Sequence, residues 1–125
     1  MFEVIAEATF SSGHYLHNYR GRCENPHGHN YKVCVTLISE LLNDSGLLFD
    51  FKQLKHVLRP TVDYIDHQMI NDLPPFTKIN PSAENLARFF FEKTDAHIAQ
   101  ITEGRVKVKQ GTLYETDTTS ATYYA

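Results

Sequence analysis

Three histidines carry the strongest chemical signal in this chain: His14, then His27 and His29 thirteen and fifteen positions further on. Three imidazoles that leave a fourth coordination position free are the donor set of a catalytic zinc, whereas a structural zinc takes four protein ligands and closes. The downstream pair is written Pro26-His27-Gly28-His29 and runs into the alternating segment Tyr31, Val33, Val35, Leu37. Side chains two apart on a strand leave the same face, so both imidazoles point one way. His14 ends another alternating segment, Phe2, Val4, Ala6, Ala8, Phe10. Two neighbouring strands are therefore expected to bring all three nitrogens to one point. All-nitrogen ligation favours zinc among the available metals.

Other reactive groups accompany them. Cys23 lies four residues before His27, and Asp66 and His67 form an adjacent carboxylate and imidazole. Each has a plainer reading. A single histidine more often makes a hydrogen bond in the core or at the surface than binds metal, and H-x-H arises by chance in strands. Asp66 could cap a helix or bind backbone, leaving His67 exposed. A thiol, a carboxylate and an imidazole beside three histidines are nevertheless more chemistry than a structural staple requires.

The elements that must position these groups follow from a hydrophobic period that changes from two to 3.6 and back. Residues 2 to 14 and 29 to 39 read as strands, joined by a polar loop from Asn18 to Pro26 that carries Arg20, Arg22 and Cys23. After the turn Asn43-Asp44-Ser45-Gly46, Asp50 can cap a helix whose apolar face is Phe51, Leu54, Leu58 and Ile65, and Pro60 should kink or divide it. Residues 71 to 81 read as a proline-punctuated loop, and Asn80 or Ser82 can cap a second helix carrying Leu86, Phe89, Phe90 and Ile98. Val106, Val108, Leu113 and Tyr123 return to strand character around turn residues at 116 to 119. The order is strand, strand, helix, helix, strand, strand, without internal repeats or low-complexity segments. A sheet of so few strands must hide its edges, and closing it with other subunits into a barrel is one solution.

Composition narrows the partners. At 125 residues the chain reads as one domain, 1–125, with much of its surface available to copies of itself. Its formal charge of −3 supplies no general basic field, which argues against nucleic acid as the main partner. No stretch has the apolar length of a membrane helix, and Met1-Phe2-Glu3-Val4 does not read as a signal peptide, so a cytoplasmic location is expected. Cys34 stands among strand residues and Cys23 in a polar loop, and both read as free thiols.

Cys23-Glu24-Asn25-Pro26-His27-Gly28-His29, His14 in Phe10-Ser11-Ser12-Gly13-His14, Asp66-His67, Asn80-Pro81-Ser82-Ala83-Glu84-Asn85 and the late Glu115 together resemble the 6-pyruvoyltetrahydropterin synthase and 6-carboxytetrahydropterin synthase family. The motifs fall in the family's order over about residues 2 to 120. The resemblance implies an α+β tunnelling fold: a four-stranded antiparallel sheet with two helices on one face (ββααββ). It further implies three sheets joined between subunits into a twelve-stranded barrel, two such trimers stacked as a hexamer, and an active site at a subunit interface. The three residues between Cys23 and His27 resemble the bacterial 6-carboxytetrahydropterin synthases of queuosine and deazapurine synthesis. Those enzymes convert 7,8-dihydroneopterin triphosphate to 6-carboxy-5,6,7,8-tetrahydropterin, acetaldehyde and triphosphate.

The roles implied by that resemblance suit the residue types. Zinc on His14, His27 and His29 would act as a Lewis acid toward the hydroxyls of the substrate side chain. Cys23 would be the general base, and His67, oriented by Asp66, a second acid-base group. Adjacent residues do not face each other within a helix, so Asp66 and His67 are expected where the helix ends or bends. Glu115 would anchor the pterin, because one carboxylate accepts both the 2-amino group and the ring N–H beside it. Ser82 and Ala83 would meet the pterin edge, where the generic reading is a helix cap. Arg20 and Arg22 could contact triphosphate, although loop arginines are usually just solvated. His17, His56 and His97 take no role. Two other functions remain open. A pyruvoyl-forming synthase would eliminate triphosphate without breaking the carbon chain, and a non-catalytic zinc or pterin-binding scaffold would need neither Cys23 nor the Asp66 and His67 pair.

Overall fold

The computed structural model of the chain describes residues 1–18, 21 and 24–125. Four strands, β1 (Phe2–His14), β2 (His27–Ser39), β3 (Lys107–Thr116) and β4 (Thr119–Tyr123), form one antiparallel sheet in the order β1-β2-β3-β4. Two helices, α1 (Phe51–Ile65) and α2 (Ala83–Thr102), pack on one face of it, with a short 3-10 turn at Ile70–Asp72 between them. This is the ββααββ arrangement expected from the sequence.

The apolar alternation determines which face is covered. Ala6 and Phe10 of β1, Tyr31, Val33, Val35 and Leu37 of β2, and Leu113 of β3 are buried against Leu54, Leu58 and Ile65 of α1 and Leu86, Phe90 and Ile98 of α2. Phe10 stacks on Tyr31 with ring centroids 4.9 Å apart and on Phe90 at 5.6 Å, tying sheet to helix. The opposite face is polar and carries the ion pairs Glu7–Lys32 and Glu3–Lys109.

β1 and β2 pair without slippage from Phe2↔Ser39 to His14↔His27. The second strand therefore starts at His27, two residues before the expected 29, because His27 is the last rung of that ladder. β3 and β4 meet at residues 117 and 118, so Thr116 and Thr119 belong to strands rather than to the turn.

Both helices begin on side-chain caps. The Asp50 carboxylate accepts from the Lys52 and Gln53 amides, and the Ser82 hydroxyl accepts from the Asn85 amide. Asn80 does not cap α2: its side chain instead grips the His17 backbone through both N–H and C=O. Phe51 lies on the apolar stripe of α1 but stays 59% exposed, because the first turn is left uncovered; Val57 and Val62 complete the buried face. Pro60 does not divide α1. Its ring is on the exposed side, where the carbonyl that loses its helical donor can be hydrated.

Candidate metal centre and active site

Register places the histidines. His14 and His27 are direct cross-strand partners, and Ser12 faces His29 two rungs earlier, so His14, His27 and His29 leave the helix-covered face at one end of the sheet. Glu115 reaches the same end from β3. The register between β3 and β4 shifts between Tyr114 and Thr116, which leaves Glu115 as the extra residue of a β-bulge. Bulges of this kind re-aim a side chain. The ligand atoms of His14, His27, His29 and Glu115 all lie within 4.8 Å of one another.

The hydrogen bonds around the rings fix their tautomers. His14 Nδ1 is 2.7 Å from the Pro81 carbonyl, and His27 Nδ1 is 2.8 Å from the Asn25 carbonyl. A carbonyl only accepts, so each Nδ1 carries the proton and each Nε2 presents its lone pair. Yet the two Nε2 atoms stand 3.0 Å apart. Two lone pairs facing at that distance repel unless a cation lies between them. Nitrogens bound to one tetrahedral zinc at about 2.0–2.1 Å stand roughly 3.3 Å from each other. Among the described residues His29 Nε2 is buried without a hydrogen-bond partner, although Glu115 Oε1 lies 3.0 Å away, because that contact lacks hydrogen-bonding geometry. The donor set, its tautomers and its orphaned nitrogen thus fit a divalent metal.

Electrostatics supports the same reading. Burial pushes the His14 and His29 imidazoles below the ordinary histidine value, against the opposing pull of the Glu115 carboxylate. Both rings therefore stay neutral, the form a metal requires. Backbone clamps hold the segment after β1: Asn71 binds Tyr15, as Asn80 binds His17.

Asp66 is the C-cap of α1, and His67 follows in a left-handed conformation at φ 57°, so the adjacent pair sits where the helix ends. The segment is bonded to the outer edge of β1. Ser11 N–H donates to Asp66 Oδ1 at 2.9 Å, the His67 amide donates to the Ser11 carbonyl at 2.7 Å, and the Gly13 amide donates to the Gln68 carbonyl at 2.9 Å. The Ser11 amide first, and then His67, hold the Asp66 carboxyl below its usual range. Asp66 Oδ1 lies 2.9 Å from His67 Nδ1, which orients the ring, while the His67 side chain remains 81% exposed. Ser11, Gly28, His29, Asn30, His67 and Met69 line one shallow hollow, so His67 and His29 border common ground.

Ser82, the N-cap, and Ala83, the first residue of α2, directly follow Pro81, whose carbonyl orients His14. Cys23, Arg20 and Arg22 lie outside the described residues. Cys34 is a free thiol, and burial pushes it up to about 11. His56 and His97 are exposed on the helices. Sequence reasoning missed three contributors. Pro81 and Asn25 act through backbone carbonyls, which residue type does not advertise. Tyr31 is buried, its hydroxyl without a partner among the described residues and its ring 5.8 Å from His14 and 5.5 Å from His29. Its place on the His27 and His29 face was readable; its lack of a partner was not.

Known proteins share this fold and much of this sequence. The family model described as 6-pyruvoyl tetrahydropterin synthase matches residues 3–125. The chain is 30% identical over 122 residues to the 6-carboxy-5,6,7,8-tetrahydropterin synthase of Aquifex aeolicus, covering 82% of this chain and 75% of that protein. It is 32% identical over 96 residues to the 6-pyruvoyl tetrahydrobiopterin synthase of Dictyostelium discoideum, covering 67% and 71%. The structure of the Caenorhabditis elegans 6-pyruvoyl tetrahydropterin synthase superposes with a TM-score of 0.86 at 27% identity, covering 99% of this chain and 95% of that one. A sheet that gathers three imidazoles at its end, and a match running over nearly every residue, lead to one conclusion: the chain belongs to the 6-pyruvoyl tetrahydropterin synthase family.

Proposed function

We propose that this chain, as a single domain of residues 1–125, is a zinc-dependent 6-carboxy-5,6,7,8-tetrahydropterin synthase, a carbon-carbon lyase of queuosine and deazapurine synthesis. It takes 7,8-dihydroneopterin triphosphate and one water to 6-carboxytetrahydropterin, acetaldehyde and triphosphate. The observation that carries the reading is the convergence of three imidazoles with a carboxylate beside them, the Nε2 atoms of His14 and His27 facing one point. The relatives named 6-carboxy-5,6,7,8-tetrahydropterin synthase, from several bacteria, support the choice of product.

When bound, zinc supplies Lewis-acid stabilisation of negative charge on the substrate's side-chain oxygens. His14, His27 and His29 would hold it, with Pro81 and Asn25 keeping two of the rings in the required tautomer. Asp66 fixes His67 through Nδ1 and leaves Nε2 free to accept or return a proton during carbon-carbon cleavage. The exposed His67 ring suits a site completed by a second subunit. Cys23 is assigned as the general base that removes the side-chain proton. Glu115 accepts the paired N–H groups of the pterin, and Ser82 and Ala83 meet its edge. The assembly is proposed to be a trimer-based homo-oligomer, a hexamer, in the cytoplasm. No described helix is long and apolar enough to cross a membrane.

The second reading, 6-pyruvoyltetrahydropterin formation, is favoured by the relatives in Dictyostelium and Caenorhabditis. It shares triphosphate elimination but omits water addition and carbon-carbon cleavage. Incubating the zinc-loaded protein with 7,8-dihydroneopterin triphosphate and weighing the pterin product separates them. The carboxy product, lost on chelation and in Cys23→Ala, supports the proposal; the pyruvoyl product moves the chain to the second reading, and unchanged substrate leaves a binding scaffold.

A further inference from the structure

We propose that Asn80 is a positioning residue of the metal centre: its side chain grips the backbone of His17 while the carbonyl of the next residue, Pro81, holds the ring of His14, so that the first metal ligand is locked against the start of α2. The inference rests on the reading of His14, His27 and His29 as metal ligands and is indifferent to which pterin product is formed. Its physical basis is a closed circuit of bonds. Asn80 Oδ1 accepts the His17 amide at 2.7 Å, and Asn80 Nδ2 donates to the His17 carbonyl at 2.9 Å. One peptide unit on, the Pro81 carbonyl accepts His14 Nδ1–H at 2.7 Å. The chain from His17 back to His14 closes the circuit. A displacement of the turn at 80 and 81 must therefore stretch either the amide clamp or the bond that orients His14.

Two contacts from α2 brace this turn. The Asn85 side chain donates through Nδ2 to the Asn80 carbonyl at 2.8 Å, tying the clamp to the first turn of the helix. The Asn85 amide, which one more residue of helix would send to the Pro81 carbonyl, goes to the Ser82 hydroxyl at 3.2 Å. The Pro81 carbonyl is thereby left to the imidazole, and the hydrogen bond on a ligand's second ring nitrogen fixes its tautomer and direction. Pro81 is buried and His14 is only 1% exposed, so water does not readily replace a lost carbonyl there. The parallel clamp, Asn71 on Tyr15, stiffens the same segment but, among the described residues, leads to no carbonyl that holds a ring.

The test uses two readouts, one of which needs no metal. In nitrogen-labelled, metal-free protein the Nδ1–H resonance of His14 reports its bond to Pro81. A Co2+ titration of chelator-stripped protein reports affinity and, through the visible band, coordination geometry. In Asn80→Ala the His14 Nδ1 proton should exchange with water several-fold faster. The same variant should bind Co2+ about three- to tenfold more weakly with an altered band, less than the roughly 10–100-fold lost with a direct orienting partner, because Asn80 acts one step from the ring. Asn85→Ala, which keeps its backbone bond to Ser82, should move both readouts the same way by less, and it stands in should circular dichroism show Asn80→Ala unfolded. Asn43→Ala is the control: it removes a comparable clamp, the acceptor of the Ser45 and Leu47 amides, beyond the far end of β2, and should leave both readouts unchanged. An unchanged His14 resonance or an unchanged Co2+ affinity in folded Asn80→Ala, or in Asn85→Ala where it stands in, overturns the inference. An equal loss in Asn43→Ala overturns it too, since the effect would then be general destabilisation. Wild type that binds no Co2+ sinks the metal reading on which the inference rests, whatever the resonance shows.

Discussion

Two imidazoles of the metal centre are each set by a different backbone carbonyl, His14 by Pro81 and His27 by Asn25. His14 is only 1% exposed and donates through Nδ1 to Pro81, so it is the most constrained of the three. Replacing it by alanine should lower zinc affinity by at least about 100-fold, more than the loss of an orienting partner costs, as chelator competition would show. His14 and His29 titrate below the ordinary 6.5 because burial penalises their charged forms. As pH falls through 6.5 the unfolded chain takes up protons first, so the metal-free protein should lose stability from there down through the lower native values and stay level above 6.5. Thermal melts of chelated protein between pH 5 and 8 check this; a Tm that does not fall on the acid side, or a His14→Gln/His29→Gln variant that falls equally, would contradict it. The histidines were legible in the sequence because strand spacing alone puts His27 and His29 on one face. Glu115 was legible only as a carboxylate for a pterin. Its position among the metal-binding atoms depends on a bulge, and no residue type or period announces a one-residue slip in register.

Among the elements, the end of α1 and the sheet's close contact with α2 matter most to the site. Asp66 and His67 occupy the helix terminus because the chain there adds its backbone to the free edge of β1. Asp66→Asn weakens the acceptor for the Ser11 amide, so faster hydrogen exchange at Ser11 and lower turnover with a shifted pH profile are expected. Gly111 faces α2: a Cβ there would stand 3.2 Å from the Ala87 carbonyl oxygen and 3.6 Å from the Phe91 backbone nitrogen. Backbone cannot yield as a side chain does, so Gly111→Ala should destabilise the protein by about 1–3 kcal/mol, measurable by denaturant unfolding. At Gly13 the nearest atom is the flexible Met69 methyl at 3.2 Å, and the same change should cost less. The sequence revealed all six elements because their periods are clean. It misled at Phe51 and Pro60 because periodicity locates a helix stripe without locating the part of the sheet that covers it.

At the scale of the whole molecule, the open sheet explains what the single chain leaves unfinished. β1 and β4 are the outer strands, and among the described residues only Ser11 and Gly13 of the β1 edge are bonded, by residues 66 to 68 and through the bridge to Met69. Strand edges of this kind invite pairing. Light scattering should therefore return a multiple of the 14.4 kDa chain, six copies in the proposed assembly, and a monomer at micromolar concentration would remove the barrel from the account. Zinc at about 100 times its Kd should add about 2.7 kcal/mol to stability through binding to the native state alone. In the sequence only the three-residue spacing from Cys23 to His27 favoured the carboxy over the pyruvoyl product, since both chemistries use the same metal and acid-base groups. The measurement that tests the central claim most directly is the ratio of acetaldehyde to triphosphate released from 7,8-dihydroneopterin triphosphate by the zinc-loaded protein. A one-to-one ratio that vanishes when zinc is removed is the expected result. Triphosphate released without acetaldehyde would contradict the carbon-cleaving reaction.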